Sequence, residues 1–123
     1  MESKPQILVA EDEAMLRVLA VEMLEDAGFQ VFEAGDGIEA LAVLEANPAI
    51  SLLVSDIKMP RMDGYALVEA GYKLKPDLKV LLMTGYAQQP PAQVMRARKI
   101  SILHKPFNLE LLCSMASQMV SEN

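Results

Sequence analysis

Short apolar runs alternate with amphipathic stretches along the whole chain. Ile7-Leu8-Val9-Ala10 is apolar without a break and too short for a helix, so it reads as a buried strand that ends in acids. Leu16, Leu19, Ala20, Met23, Leu24 and Ala27 then recur at the spacing of an amphipathic helix. Gly28 predicts a left-handed stop to that helix. Residues 29–32 form the next strand. Asp36-Gly37-Ile38-Glu39 has the pattern of a capping box, opening a helix with Ile38, Leu41, Ala42 and Leu44 on one face. Asn47-Pro48 ends it.

The alternation continues. Residues 50–55 predict a third strand, followed by a turn-rich stretch and a helix bearing Leu67, Ala70, Gly71 and Leu74. Pro76-Asp77 breaks that helix before a fourth strand at 78–83. Pro90-Pro91 fits the first turn of a short fourth helix over 91–98. A brief fifth strand at 100–103 precedes a last helix with Leu109, Leu112, Cys113, Ala116 and Val120 on one face. Continuous apolar strands between helices predict a parallel sheet covered on both sides. Right-handed crossovers make it doubly wound, with any ligand at the carboxyl ends of the strands.

Composition narrows the picture further. The 123 residues suit one domain, 1–123, with an aliphatic core: 52% of residues are hydrophobic and 5% aromatic. A net charge of -6 argues against binding a nucleic-acid backbone, and Arg96, Arg98 and Lys99 read as a solvated helix end. No apolar run approaches the roughly 20 residues of a membrane span, and the first residues lack the pattern of a secretory signal. The single Cys113 cannot form an internal disulfide and reads as a small core hydrophobe. A cytoplasmic protein is expected. Met1 and the polar tail Ser121-Glu122-Asn123 favour a stand-alone chain over an excised domain.

The chemistry collects at the predicted strand ends. Strand one ends in Glu11-Asp12, strand three in Asp56, strand four in Thr84 and strand five in Lys105-Pro106. Clustered carboxylates repel unless a cation joins them, and Mg²⁺ suits a few carboxylates plus a phosphoryl oxygen. Asp56 would then act as a nucleophile forming an acyl phosphate, with Lys105 and Thr84 serving the phosphoryl oxygens. Asp12 alone could equally be a helix cap.

At these residues the sequence resembles the receiver domain of two-component response regulators. The resemblance rests on Ile7-Leu8-Val9-Ala10-Glu11-Asp12-Glu13, Ser55-Asp56-Ile57-Lys58-Met59-Pro60-Arg61-Met62-Asp63-Gly64, Met83-Thr84-Gly85-Tyr86-Ala87 and His104-Lys105-Pro106-Phe107. It implies a flavodoxin-like sheet of order 2-1-3-4-5 with five helices. It also implies that Asp56 accepts the phosphoryl group and that Glu11, Asp12, Asp56 and the Lys58 carbonyl hold Mg²⁺. Thr84 and Lys105 would bind phosphate. The donor would be a histidine kinase or histidine phosphotransfer protein, docking near the first helix with Met15 and Val18 as contacts. The surface around the fourth helix, fifth strand and last helix would regulate a downstream protein that the sequence does not name. Leu111 and Met115, opposite the buried stripe of the last helix, offer a partner or homodimer face.

Such a domain is not an enzyme beyond its own phosphorylation and dephosphorylation. One departure stands out. Ile102 occupies the position, three before Lys105, where many receivers carry a switching aromatic; Tyr86 is the substitute in this sequence. Lys58 and Tyr86 would flank the phosphoryl group and slow its hydrolysis. The alternatives are a phosphorylation-silent scaffold, a flavin carrier and an Asp-nucleophile phosphohydrolase. The hydrolase would want an acid two residues after Asp56, where Lys58 stands. His104, the only histidine, ends a strand and reads as structural.

Overall fold

The computed structural model describes residues 4–84, 100–104 and 108–121. Five strands form one parallel sheet: β1 (Gln6–Ala10), β2 (Gln30–Ala34), β3 (Ile50–Asp56), β4 (Lys79–Thr84) and β5 (Ile100–His104), in the order β2-β1-β3-β4-β5. The described helices are α1 (Ala14–Asp26), α2 (Gly37–Ala46), α3 (Gly64–Leu74) and α4 (Leu109–Ser121). The helix expected over 91–98 lies outside the described residues. Strand bounds differ from the sequence reading by one or two residues: β2 begins at Gln30 rather than 29 and runs to Ala34, and β3, β4 and β5 each gain their polar terminal residue.

Position in the sheet explains the composition of each strand. β4 is buried along its whole length, and β1 and β3 nearly so, which is why they read as predominantly apolar runs. The edge strands β2 and β5 are only partly covered and tolerate Gln30, Glu33 and His104. Alternation splits the core in two. Ile7, Val9, Leu52, Val54, Leu81 and Leu103 face α1 and α4, whereas Leu8, Leu53, Val80 and Leu82 face α2 and α3. Fully burying each such side chain contributes about 1.5–3 kcal/mol.

The helices bury narrower faces than their stripes predicted. On α1, Ala20, Val21 and Leu24 are buried, whereas Leu19 and Ala27 of the predicted stripe are exposed. On α2, Gly37, Ala40 and Leu44 face the core, and Ile38 and Ala42 turn outward. On α3, Val68 replaces Leu74 at the buried face. Small residues win these positions because α2 and α3 approach each other closely: a Cβ on Gly71 would lie 3.4 Å from Leu44 Cδ1. On α4, Leu112, Ala116 and Met119 are buried. Met115 packs against the core, so of the proposed outer pair only Leu111 stays exposed.

The helix ends match their local chemistry. Asp36 and Asp63 accept the Glu39 and Ala66 N–H groups at 2.8 and 2.9 Å, and Asn108 accepts from Glu110 and Leu111. The reciprocal bond of the expected capping box reaches one residue further back, from Gly35 N–H to Glu39 Oε1. Gly28 follows α1 at φ +104, as a left-handed stop requires. Where α4 ends, the buried Lys79 ammonium donates to the Met119 carbonyl, a cation at a helix C-terminus.

Candidate functional site at the carboxyl edge of the sheet

Register brings the polar strand ends together. Ala10 pairs with Ser55, Asp56 with Met83, and Thr84 with His104. The residues just beyond β1 therefore sit beside the end of β3. Glu11, Asp12 and Asp56 each present a carboxylate oxygen within 4.8 Å of the others. Glu11 and Asp56 are buried and Asp12 is exposed. Three hard oxygen donors in so small a space fit Mg²⁺ or another hard cation, and like charges this close favour one.

Backbone groups hold two of these carboxylates. Glu13 N–H donates to Glu11 Oε2 at 3.1 Å, and Ile57 N–H donates to Asp56 Oδ1 at 2.8 Å. Asp12 is not spent on capping: Glu13 is the N-cap of α1, and no side chain caps that end. The capping alternative for Asp12 is thereby removed. Arg17 adds a brace absent from the sequence reading. Its Nη1 donates to the Glu11 carbonyl at 2.7 Å while its Nε pairs with Glu33 Oε1 at 3.1 Å.

The loop after Asp56 is anchored just as closely. Ser55 Oγ donates to the Asp56 carbonyl at 2.8 Å, and Gly64 N–H donates to the Ile57 carbonyl at 2.7 Å. Arg61 has φ 69, a backbone region that disfavours non-glycine residues. Its guanidinium meets Asp36 Oδ2 through Nη2 at 2.7 Å and Nε at 3.0 Å. Gly37 permits this docking, since a Cβ there would lie 2.2 Å from the Met62 carbonyl oxygen. Lys58 lies within this loop and is exposed. No local signal links Asp36 to Arg61, because 25 residues separate them.

The Glu39 N–H, and after it the Arg61 guanidinium, hold the Asp36 carboxyl below its usual value of 3.8. A folded-state pKa below the unfolded one adds stability above 3.8 and loses it as pH falls through the folded value. Asp36→Asn keeps a capping oxygen without the charge. At neutral pH this variant is expected to unfold at lower denaturant than wild type, with the gap closing as pH drops well below 3.8. Urea midpoints across that range check it.

Thr84 is fully buried at the end of β4, and its Oγ1 lies 3.0 Å from His104 Nδ1. Ile102 pairs with Leu82 and packs on the α2–α3 side of the sheet. Lys105 and Tyr86 lie outside the described residues. Burial, followed by Asp26, pushes the Cys113 thiol up, in keeping with an inert core group.

A doubly wound sheet of this order with acids at its carboxyl edge is a flavodoxin-like fold, and comparison with known proteins gives its family. Residues 7–117 match the response regulator receiver domain, and the chain belongs to that family. It is 37% identical over 118 residues to the response regulator receiver protein CpdR of Brucella abortus, covering 94% of this chain and 96% of that one. It is 36% identical to the sensor kinase CckA of the same organism, of which it spans 12%. Among solved structures, the receiver domain of hybrid histidine kinase CckA matches at TM-score 0.81 and 32% identity, covering 94% of this chain and 99% of that one. A CheY-like receiver domain protein from Methanospirillum hungatei matches at TM-score 0.87 and 30% identity over 96% of this chain and 94% of its own.

Proposed function

We propose that this chain takes a phosphoryl group onto Asp56 from a phosphohistidine and passes the event on by a change of shape. The observation that carries this reading is the gathering of the Glu11, Asp12 and Asp56 carboxylates within 4.8 Å at the edge where Thr84 also ends. Glu11, Asp12, Asp56 and the Lys58 carbonyl would hold Mg²⁺, which supplies charge neutralisation for phosphoryl transfer.

The remaining work falls to the chain itself. Asp56 is the nucleophile, its carboxylate oriented by the Ile57 N–H on Oδ1. Its bond to phosphorus forms as the bond to the donor imidazole breaks, leaving an acyl phosphate. Thr84 and Lys105 bind the phosphoryl oxygens. Docking of a histidine kinase or phosphotransfer protein falls on α1, where Met15 is 74% exposed and Val18 47%. Lys58, exposed in the loop, and Tyr86 shield the acyl phosphate from water. Charge-assisted bonds to the phosphoryl oxygens bias two packings of the domain, in a shift that regulates a downstream protein. The setting is the cytoplasm.

Incubation with a small acyl-phosphate donor tests this reading by intact mass. One phosphoryl group is expected with Mg²⁺, little without it, and none in Asp56→Asn. A wild-type chain that stays unmodified with Mg²⁺ and donor, and with a cognate kinase, would refute it.

A further inference from the structure

We propose that His104 is the resting partner of the Thr84 hydroxyl, and so a positioning residue that governs when Thr84 can serve a phosphoryl group. This rests on the phosphoacceptor reading of Asp56 and deepens it.

The two residues are direct neighbours across β4 and β5, and parallel pairing puts their side chains on the same face. That face also carries Leu82 and Ile102, so His104 stands two residues beyond Ile102 on one side of the sheet. Ile102 has no polar atom and cannot hold a hydroxyl. His104 Nδ1 does, at 3.0 Å, and it is the described partner of a fully buried Thr84. His104 itself is exposed, at the last position of β5.

A threonine hydroxyl has one proton to donate. With the imidazole proton on Nε2, Nδ1 accepts, and the Thr84 proton is spent on His104. A phosphoryl oxygen is the stronger acceptor because it is charged. Phosphorylation therefore draws Thr84 off the imidazole and frees an exposed ring at the end of β5. The resting bond opposes the active packing, and the released ring reports it at the surface.

Beryllofluoride, a phosphoryl mimic, tests this in the full chain with Mg²⁺ present. His104→Ala leaves a buried hydroxyl without its partner until the mimic arrives, so binding should tighten by about three- to tenfold. His104→Asn places an amide oxygen where Nδ1 was and should return affinity to near wild type. The gain from His104→Ala should vanish in a Thr84→Val background, where there is no hydroxyl to release. In wild type, the His104 ring nitrogen resonances should shift on adding the mimic, and the Nδ1 change should be absent in Thr84→Val. Wild-type affinity in His104→Ala, or a gain that survives Thr84→Val, would overturn the inference while leaving the phosphoacceptor reading standing. Failure of the wild-type chain to bind the mimic at all would remove both.

Discussion

Gly64→Ala is expected to cost about 1–3 kcal/mol of stability and to slow phosphoryl uptake on the order of 100-fold. A Cβ at this position would lie 2.5 Å from the Asp56 carbonyl oxygen and 2.9 Å from Ile57 Cα. Both are backbone atoms of β3 and the turn that follows, so no side-chain rotation relieves the clash. The Gly64 N–H also bonds the Ile57 carbonyl, which ties the start of α3 to the same turn. Relief must come from moving Asp56 or the helix start. Gly28→Ala is the useful contrast: its cost is the positive φ of 104, because nothing lies within 4 Å of the added methyl. That variant should lose stability while keeping uptake at the wild-type rate. Denaturant unfolding with a timed mass assay separates the two, and a Gly64→Ala chain that accepts the phosphoryl group normally would contradict the packing described.

The second large effect separates metal affinity from fold. Asp12 is exposed and caps no helix, so Asp12→Ala should change metal-free stability by no more than about 0.5 kcal/mol. Removing one of three carboxylates within 4.8 Å relieves repulsion, so any change should be a gain. Mg²⁺ affinity should fall by at least about tenfold, since even indirect partners of a ligand are worth that much. A ligand that binds only the folded state stabilises it by mass action, to about 2.7 kcal/mol at a hundred times its dissociation constant. The wild-type melting temperature should therefore climb with added Mg²⁺ and that of Asp12→Ala much less. Equal Mg²⁺ shifts in the two proteins would remove Asp12 from the site.

The sheet was legible because its central strands are buried on both faces, so β1, β3 and β4 appear as apolar runs bounded by turn residues. Helix positions were legible from Gly28, Asp36 and Asn47, but helix faces only in part: Ala20, Leu24, Leu44, Leu67, Gly71, Leu112 and Ala116 are buried as read. Leu19, Ile38 and Leu74 satisfied the spacing yet are exposed, while Gly37, Ala40 and Val68, outside the predicted stripes, are buried. A stripe gives the centre of a buried face, not its width, and it undervalues small residues where helices approach closely. Glu11, Asp12 and Asp56 were found because strand ends in a parallel sheet must share an edge. Arg17 on the Glu11 carbonyl, Arg61 on Asp36 and His104 on Thr84 were not. Each joins groups distant in sequence through side chains whose direction no local pattern sets. Asp36 was read for its cap alone, and His104 as structural.

The most direct measurement is the position of the phosphoryl group. Borohydride reduces an acyl phosphate to an alcohol, converting a phosphorylated aspartate to homoserine. The chain would be treated with donor and Mg²⁺, reduced, digested and sequenced by mass spectrometry. Homoserine at residue 56, dependent on both donor and Mg²⁺, is the predicted result. A phosphoryl group gained by the intact protein with residue 56 still aspartate after reduction, and the reduced residue or the phosphoryl group found elsewhere, would contradict the account.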